Sequence, residues 1–159
     1  MNYWVIADTH FGHEKIKQSN NRPDNFEELI LENLKAKIKK DDVLIHLGDF
    51  CLKDDLYWHK RFSEIECKKW LILGNHDHKT MSWYLSNGWD FVCSHFTLKL
   101  FGEYILFSHT PQENTSIINI HGHLHDSNHR KGYLLTEKNI LVLIEGTFEP
   151  CLLQKIIKK

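Results

Sequence analysis

Residues 69–77 read Lys-Trp-Leu-Ile-Leu-Gly-Asn-His-Asp. The apolar run 70–73, which Gly74 ends, predicts a short buried strand. An amide oxygen, an imidazole and a carboxylate leave the end of this strand together, on Asn75, His76 and Asp77. Ligands bind at the carboxyl ends of the strands in open α/β sheets. The stretch therefore predicts a central strand with a binding site at its end.

Length and composition are those of an ordinary globular protein. The chain has 159 residues, of which 42% are hydrophobic and 26% are charged. We expect one domain over residues 1–159, because a chain of this length can bury a full core without disulfides. The net charge of −1 does not indicate a nucleic-acid surface, although it leaves nucleic acid possible as a partner. The sequence makes no prediction of the oligomeric state.

The chain carries no sign of secretion or of a membrane span. Its four cysteines are not arranged as CxxC pairs and are expected to be reduced thiols. The N-terminus enters a strand-like run without a basic segment and a long apolar segment. No apolar stretch approaches the ~20 residues that cross a bilayer. These features predict a cytoplasmic protein without membrane association.

Hydrophobic periodicity predicts alternating strands and helices in the first half and mostly strands in the second. Strands are expected at 3–7, 43–47, 70–73, 91–94, 96–101, 104–108, 117–120, 133–135 and 140–144. Helices are expected at 26–40, from 54 onward, at 79–86 and from Pro150, and the first should carry a capping box of Asn25 and Glu28. A loop or a frayed turn is expected at 15–25, and a polar turn region is expected at 126–132. This order predicts an α/β sandwich with helices outside a two-sheet core.

Five of the apolar runs end directly in residues that can bind a metal ion. These residues are Asp8 and His10, Asp49, Asn75 and His76, His109, and His123 and His125. One such case would mean little, because turn residues are often polar. Five cases in one small domain are difficult to explain by solvation alone, and we expect the five strand ends to converge.

The chemistry of this set indicates divalent cations. Carboxylates, an amide oxygen and imidazoles without thiolates suit Mn²⁺, Fe, Zn²⁺, Co²⁺ or Ni²⁺, and we favour Mn²⁺. The set exceeds the needs of one four-coordinate ion, so we expect two divalent metal ions about 3.5–4 Å apart, bridged by one carboxylate. Such a centre attracts a phosphate group and lowers the pKa of a bridging water.

The order of the blocks resembles the calcineurin-like metallophosphoesterase superfamily. The blocks Asp-x-His, Gly-Asp, Gly-Asn-His-Asp, His and Gly-His-x-His follow one another from residue 8 to residue 125. The segments 8–13, 46–50 and 108–111 also resemble a compact bacterial and phage branch of this superfamily. The resemblance implies a four-layer α/β/β/α sandwich of two mixed sheets flanked by helices.

The resemblance also implies a role for each residue of the set. The first metal ion would be held by Asp8, His10 and His125. The second would be held by Asn75, His109 and His123. Asp49 would bridge the two ions. His76 would act as the acid near the leaving-group oxygen or as a hydrogen-bond donor to the phosphate.

Several other residues have two interpretations. His13 either reaches the substrate phosphate or is a solvated loop residue. Asp77 could orient His76, but we favour a helix N-cap. His46 is either a partner of a metal ligand or a satisfied core histidine. A surface position is expected for His59, His78, His95 and His129.

The sequence thus predicts a dinuclear phosphoesterase that hydrolyses phosphodiester or phosphomonoester bonds of small, nucleotide-like substrates through a metal-bridging hydroxide. Residues 50–53 and Asp77 differ from the corresponding segments of the protein serine/threonine phosphatases, which argues against a protein substrate. The alternatives are a nuclease acting on nucleic-acid ends and a metal-binding interaction scaffold without catalysis.

Overall fold

A computed structural model describes residues 1–125 and 132–157. In chain order its elements are β1 (Tyr3–Ile6), α1 (Glu14–Ser19), α2 (Phe26–Lys37), β2 (Val43–His46), α3 (Asp55–Ser63), β3 (Lys68–Ile72), α4 (Met81–Ser86), β4 (Phe91–Cys93), β5 (His95–Leu100), β6 (Glu103–Ser108), β7 (Ile118–His121), β8 (Asn139–Leu141), β9 (Cys151–Leu152) and α5 (Leu153–Ile157). Residues 126–131, which form most of the segment 126–132 and include His129, lie outside the described residues.

The strands form two mixed sheets. The first has the order β4-β3-β2-β1-β9, in which β1 to β4 run parallel and β9 is antiparallel to β1. The second has the order β5-β6-β7-β8, in which only β5 and β6 pair antiparallel. Two mixed sheets flanked by helices confirm the predicted fold class.

Two apolar cores hold these layers together. In strand β1, Ile6 faces the core that the first sheet shares with α1 to α4, whereas Val5 faces the core between the two sheets. Successive strand residues point to opposite faces, so the same alternation serves both cores. This packing brings the carboxyl ends of β1, β2 and β3 close to those of β6 and β7, where the polar blocks follow.

Some local predictions were wrong. The segment 15–25, expected to be a loop or a frayed turn, includes residues 15–19 of the helix α1. This six-residue helix has a single buried residue, Ile16, and therefore no apolar periodicity. Residues 133–135 form no strand, and Leu134 is exposed. Pro150 precedes the two-residue strand β9, which pairs with β1 before α5 begins.

The helix predicted from residue 26 is correct at its start, but its predicted cap is not formed. Asn25 occupies the N-cap position, and its side chain accepts no hydrogen bond. The Glu28 carboxylate instead accepts hydrogen bonds from Arg61 of α3.

No helix in the described part of the chain is long and apolar enough to cross a membrane.

Candidate metal centre

The loops that follow β1, β2, β3, β6 and β7 meet at one edge of the sandwich. The Asp8 amide donates to Gly48 O, and the His10 amide donates to Asp49 O, both at 3.0 Å. The Gly122 amide donates to His109 O, also at 3.0 Å. Backbone hydrogen bonds thus hold neighbouring loops together, and the convergence expected from the sequence is observed.

The first group of metal-binding side chains consists of Asp8, His10 and His125. The Nε2 atoms of His10 and His125 lie 3.2 Å apart. His125 Nε2 is 3.9 Å from Asp8 Oδ1, which has no hydrogen-bond partner among the described residues. The group mixes oxygen and nitrogen atoms, which suits divalent ions such as Mn²⁺, Fe²⁺ and Zn²⁺.

The second group consists of Asp49, His109 and His123. His109 Nε2 lies 3.0 Å from His123 Nδ1 and 2.9 Å from the side-chain oxygen of Asn75. Asp49 Oδ2 is 3.4 Å from His109 Nε2 and 3.6 Å from His10 Nε2, so this carboxylate lies between the two groups. The structure brings all seven predicted ligands together. Their metal-binding roles stay predictions.

The donor set fits two cations because its nitrogen lone pairs point inward. His109 Nδ1 is 2.8 Å from the carbonyl oxygen of Leu47, and His125 Nδ1 is 2.9 Å from the carboxylate of Glu145. These oxygens only accept hydrogen bonds, so each Nδ1 carries a proton, and each Nε2 can offer its lone pair to a cation once it has released any proton of its own. The lone pairs face the carboxylates across a gap that suits a cation.

Burial and neighbouring charges shift the pKa values of these groups in opposite directions. Burial raises the pKa of Asp8 to about 6 and lowers that of His10 to about 2. For Asp49, burial also favours the neutral form, but the hydrogen bond and charge of His109 outweigh it and hold the pKa well below its usual range. The Asp49 carboxylate in turn overcomes burial and raises the pKa of His109 to about 9. Shifts of this size in opposite directions are typical of functional sites.

Five of the predicted ligands have left-handed backbone conformations. Positive φ angles are found at Asp8 (54°), His10 (49°), Asp49 (56°), His123 (71°) and His125 (45°). Such conformations are unfavourable for residues other than glycine and persist only where the surroundings enforce them. At Asp8, His10 and Asp49, the loop hydrogen bonds described above contribute to that enforcement.

The glycines of the sequence blocks leave room for the carboxylates. A Cβ atom at Gly122 would lie 2.6 Å from Asp8 Oδ2, and one at Gly74 would overlap Asp49 Oδ1. Both distances are too short for a carbon atom. These two positions therefore require glycine because a predicted ligand occupies the space.

Asp77 does not cap a helix, which corrects the favoured interpretation. Its carboxylate accepts hydrogen bonds from the backbone amides of Asp49 (2.8 Å), Phe50 (3.1 Å) and Gly74 (2.8 Å). The N-cap of α4 is Thr80. Asp77 thus fastens the loop after β2 to the loop after β3 and positions Asp49.

We expect Asp77→Asn to destabilise the protein by about 1–3 kcal/mol, because one amide donor would then face an NH₂ group in place of an oxygen. Urea denaturation of the metal-free protein measures this loss. Asp41→Asn, at an exposed position, is the matched control and should leave the midpoint unchanged. Equal stability of the two variants would contradict the fastening role.

His76 and His13 lie beside the first group without joining it. Their ring centroids are each 5.4 Å from that of His10 and 6.5 Å from each other. The His76 amide donates to Asp49 Oδ1 at 2.8 Å. Burial, with a smaller contribution from His76, lowers the pKa of His13. Catalysis by His76 and substrate binding by His13 stay predictions.

The remaining histidines divide between core and surface. His46 is a satisfied core histidine, since its ring contacts Thr9 Oγ1 and the Gly48 amide. The prediction of a surface position was wrong for His59, which is buried and packs against Phe50 with 4.4 Å between ring centroids. His78 and His95 are exposed, as expected.

Sequence reasoning missed two residues that contact the centre, Arg22 and Glu145. Glu145 accepts from both Arg22 and His125. It follows the apolar run 140–144 directly, so the rule that found the seven predicted ligands could have found it. Arg22 lies in a polar segment before Pro23 and gave no comparable signal.

The sequence profile of the calcineurin-like phosphoesterases matches residues 1–147. The chain belongs to the calcineurin-like phosphoesterase family. Its members hydrolyse phosphoesters, and the two groups of metal-binding side chains agree with the use of divalent metal ions by this family. A comparison with curated proteins finds no match.

Among the solved structures of similar fold, three align with most of this chain. A protein of unknown function from Aquifex aeolicus, AQ665, is 27% identical over 99% of this chain and 98% of its own, with a TM-score of 0.81. The nuclease MPE of Pseudomonas putida is 26% identical, with a TM-score of 0.50, over 77% of this chain and 61% of its own. An archaeal phosphodiesterase is 15% identical over 90% of this chain and 82% of its own, with a TM-score of 0.53, and shows likeness of fold alone.

Proposed function

We propose that this family member hydrolyses phosphodiester bonds of small, nucleotide-like substrates with two divalent cations, Mn²⁺ being favoured. The observation that carries the proposal is the position of Asp49 between two groups of metal-binding side chains. One carboxylate at that position can serve both groups, and that is the arrangement a two-metal phosphoesterase needs.

Each residue of the proposed centre has a separate task. The first cation would be held by Asp8, His10 and His125, and the second by Asn75, His109 and His123, with Asp49 shared. When bound, the two cations neutralise charge on the phosphate and lower the pKa of a water molecule. His76 lies outside both groups and beside His10, where its imidazole can donate a proton to the leaving oxygen. His13 would contact the phosphate.

Hydrolysis of model substrates tests this proposal. Metal-depleted protein is supplied with Mn²⁺, Fe²⁺, Zn²⁺, Co²⁺ or Ni²⁺ and assayed with bis(p-nitrophenyl) phosphate, p-nitrophenyl phosphate and a panel of cyclic nucleotides. We expect the diesters to be hydrolysed faster than the monoester and a chelator to stop the reaction. Inertness with every metal and every substrate would contradict the proposal and favour the scaffold.

A nuclease is the second candidate function, and the similarity to the Pseudomonas putida nuclease favours it. The chain spans only 61% of that protein. Oligonucleotides labelled at the 5′ or 3′ end would distinguish the two functions, because a nuclease acting on ends shortens them progressively.

The four cysteines are free, which supports the proposed cytoplasmic location.

A further inference from the structure

We infer that Arg22 and Glu145 form a buried positioning pair for the first group of ligands, and that this pair strengthens metal binding at the site of Asp8, His10 and His125. The inference rests on the proposed function, since it concerns the cations that the phosphoesterase would use. Neither residue belongs to the seven predicted ligands, and both act through residues that do.

Arg22 fixes the backbone of the loop that carries Asp8 and His10. Its side chain is fully buried, and its two terminal nitrogens donate to the carbonyl oxygens of Thr9 (2.9 Å) and Asp8 (2.8 Å). The guanidinium also lies over the ring of Phe26, 5.1 Å from its centroid. The planar donor geometry of arginine suits two neighbouring carbonyls, and here it holds a loop whose φ angles are unfavourable.

Glu145 connects this arginine to the third ligand of the group. One carboxylate oxygen, Oε1, accepts from Arg22 Nη2 at 2.6 Å and from His125 Nδ1 at 2.9 Å. The Glu145 side chain is only 10% exposed. This contact leaves the lone pair of His125 on Nε2, which faces His10 and Asp8. Arg22 and Glu145 carry opposite charges, so the pair orients these ligands without adding net charge.

His109 of the second group provides a comparison. There the Nδ1 proton of His109 goes to a neutral acceptor, the carbonyl oxygen of Leu47, at 2.8 Å. A carboxylate raises the basicity of a ligating imidazole more than a neutral carbonyl does. Loss of the Glu145 charge should therefore weaken the binding of a cation by His125.

Titration of metal-depleted protein with Mn²⁺ tests the inference, with calorimetry to measure affinity and electron paramagnetic resonance to separate single from coupled ions. We expect two binding steps in the wild type. Glu145→Gln should weaken by about 10- to 100-fold the step that His125→Ala also weakens. It should leave unchanged the step that His123→Ala weakens. Arg22→Lys should act in the same direction, because lysine cannot hold both carbonyls. His125→Ala and His123→Ala assign the two steps to the two groups.

Glu149→Gln is the matched control, since Glu149 forms an exposed ion pair with Lys37 and should leave both steps unchanged. Circular dichroism of the metal-free variants establishes folding, and Glu145→Asp replaces Glu145→Gln if the latter does not fold. An unchanged step at the first group, or an equal loss in both steps, would overturn the inference while leaving the proposed function intact. Absence of Mn²⁺ binding and of hydrolysis in the wild type would overturn both.

Discussion

Replacement of Asp49 by asparagine is expected to reduce phosphodiester hydrolysis by about 10³-fold or more, equivalent to about 4 kcal/mol in the barrier. The carboxylate lies within 3.4 and 3.6 Å of a histidine from each group. Asparagine keeps the size of the side chain but removes the charge that both cations would share. The variant should therefore lose metal as well as rate.

The measurement is kcat/KM for bis(p-nitrophenyl) phosphate with Mn²⁺, together with the Mn²⁺ content after dialysis. Asp24→Asn makes the same chemical change at an exposed position and should retain wild-type activity and metal. An Asp49→Asn variant within tenfold of the wild type, with two ions bound, would show that this carboxylate does not serve both groups.

Removal of the His76 imidazole is expected to have an effect that depends on the leaving group. If His76 protonates the leaving oxygen, His76→Ala should lower kcat by about 10²–10⁴-fold for a substrate that releases an alkoxide. The loss should be much smaller for a p-nitrophenyl ester, because p-nitrophenolate leaves readily without a proton. Metal content should stay unchanged, since His76 belongs to neither group of ligands.

The comparison of a nucleoside cyclic phosphate with bis(p-nitrophenyl) phosphate provides this measurement. An equal loss for both substrates would indicate instead that His76 donates a hydrogen bond to the phosphate. His78→Ala is the matched control, because His78 is an exposed histidine whose ring centroid lies 6.4 Å from that of His76. No loss with either substrate would remove His76 from the catalytic residues.

The seven predicted ligands could be located from the sequence because their placement follows a simple physical rule. Parallel strands end at the same edge of a sheet, so polar residues that directly follow apolar runs come together. The rule needs no knowledge of side-chain contacts. It succeeded for Asp8 and Asp49, which lie 41 positions apart in the numbering and follow the neighbouring parallel strands β1 and β2.

Features that depend on distant partners could not be predicted in this way. Asp77 resembles a helix cap in the sequence, but its amide partners include Asp49 and Phe50, which precede it by 28 and 27 residues. Arg22 reaches the centre through a long side chain from a polar segment. The sequence also gave no sign of the left-handed backbone at the ligands. These positions hold aspartate and histidine, whereas glycine is the residue that usually marks such a conformation.

Each group of ligands takes side chains from both sheets. Asp8 and His10 follow β1 of the first sheet, whereas His125 follows β7 of the second, and the second group likewise combines Asp49 with His109 and His123. Bound cations would therefore cross-link the two halves of the sandwich in a chain whose cysteines are free. Metal supply would then govern the lifetime of the folded protein as well as its catalysis, since ions that bind only the folded state stabilise it.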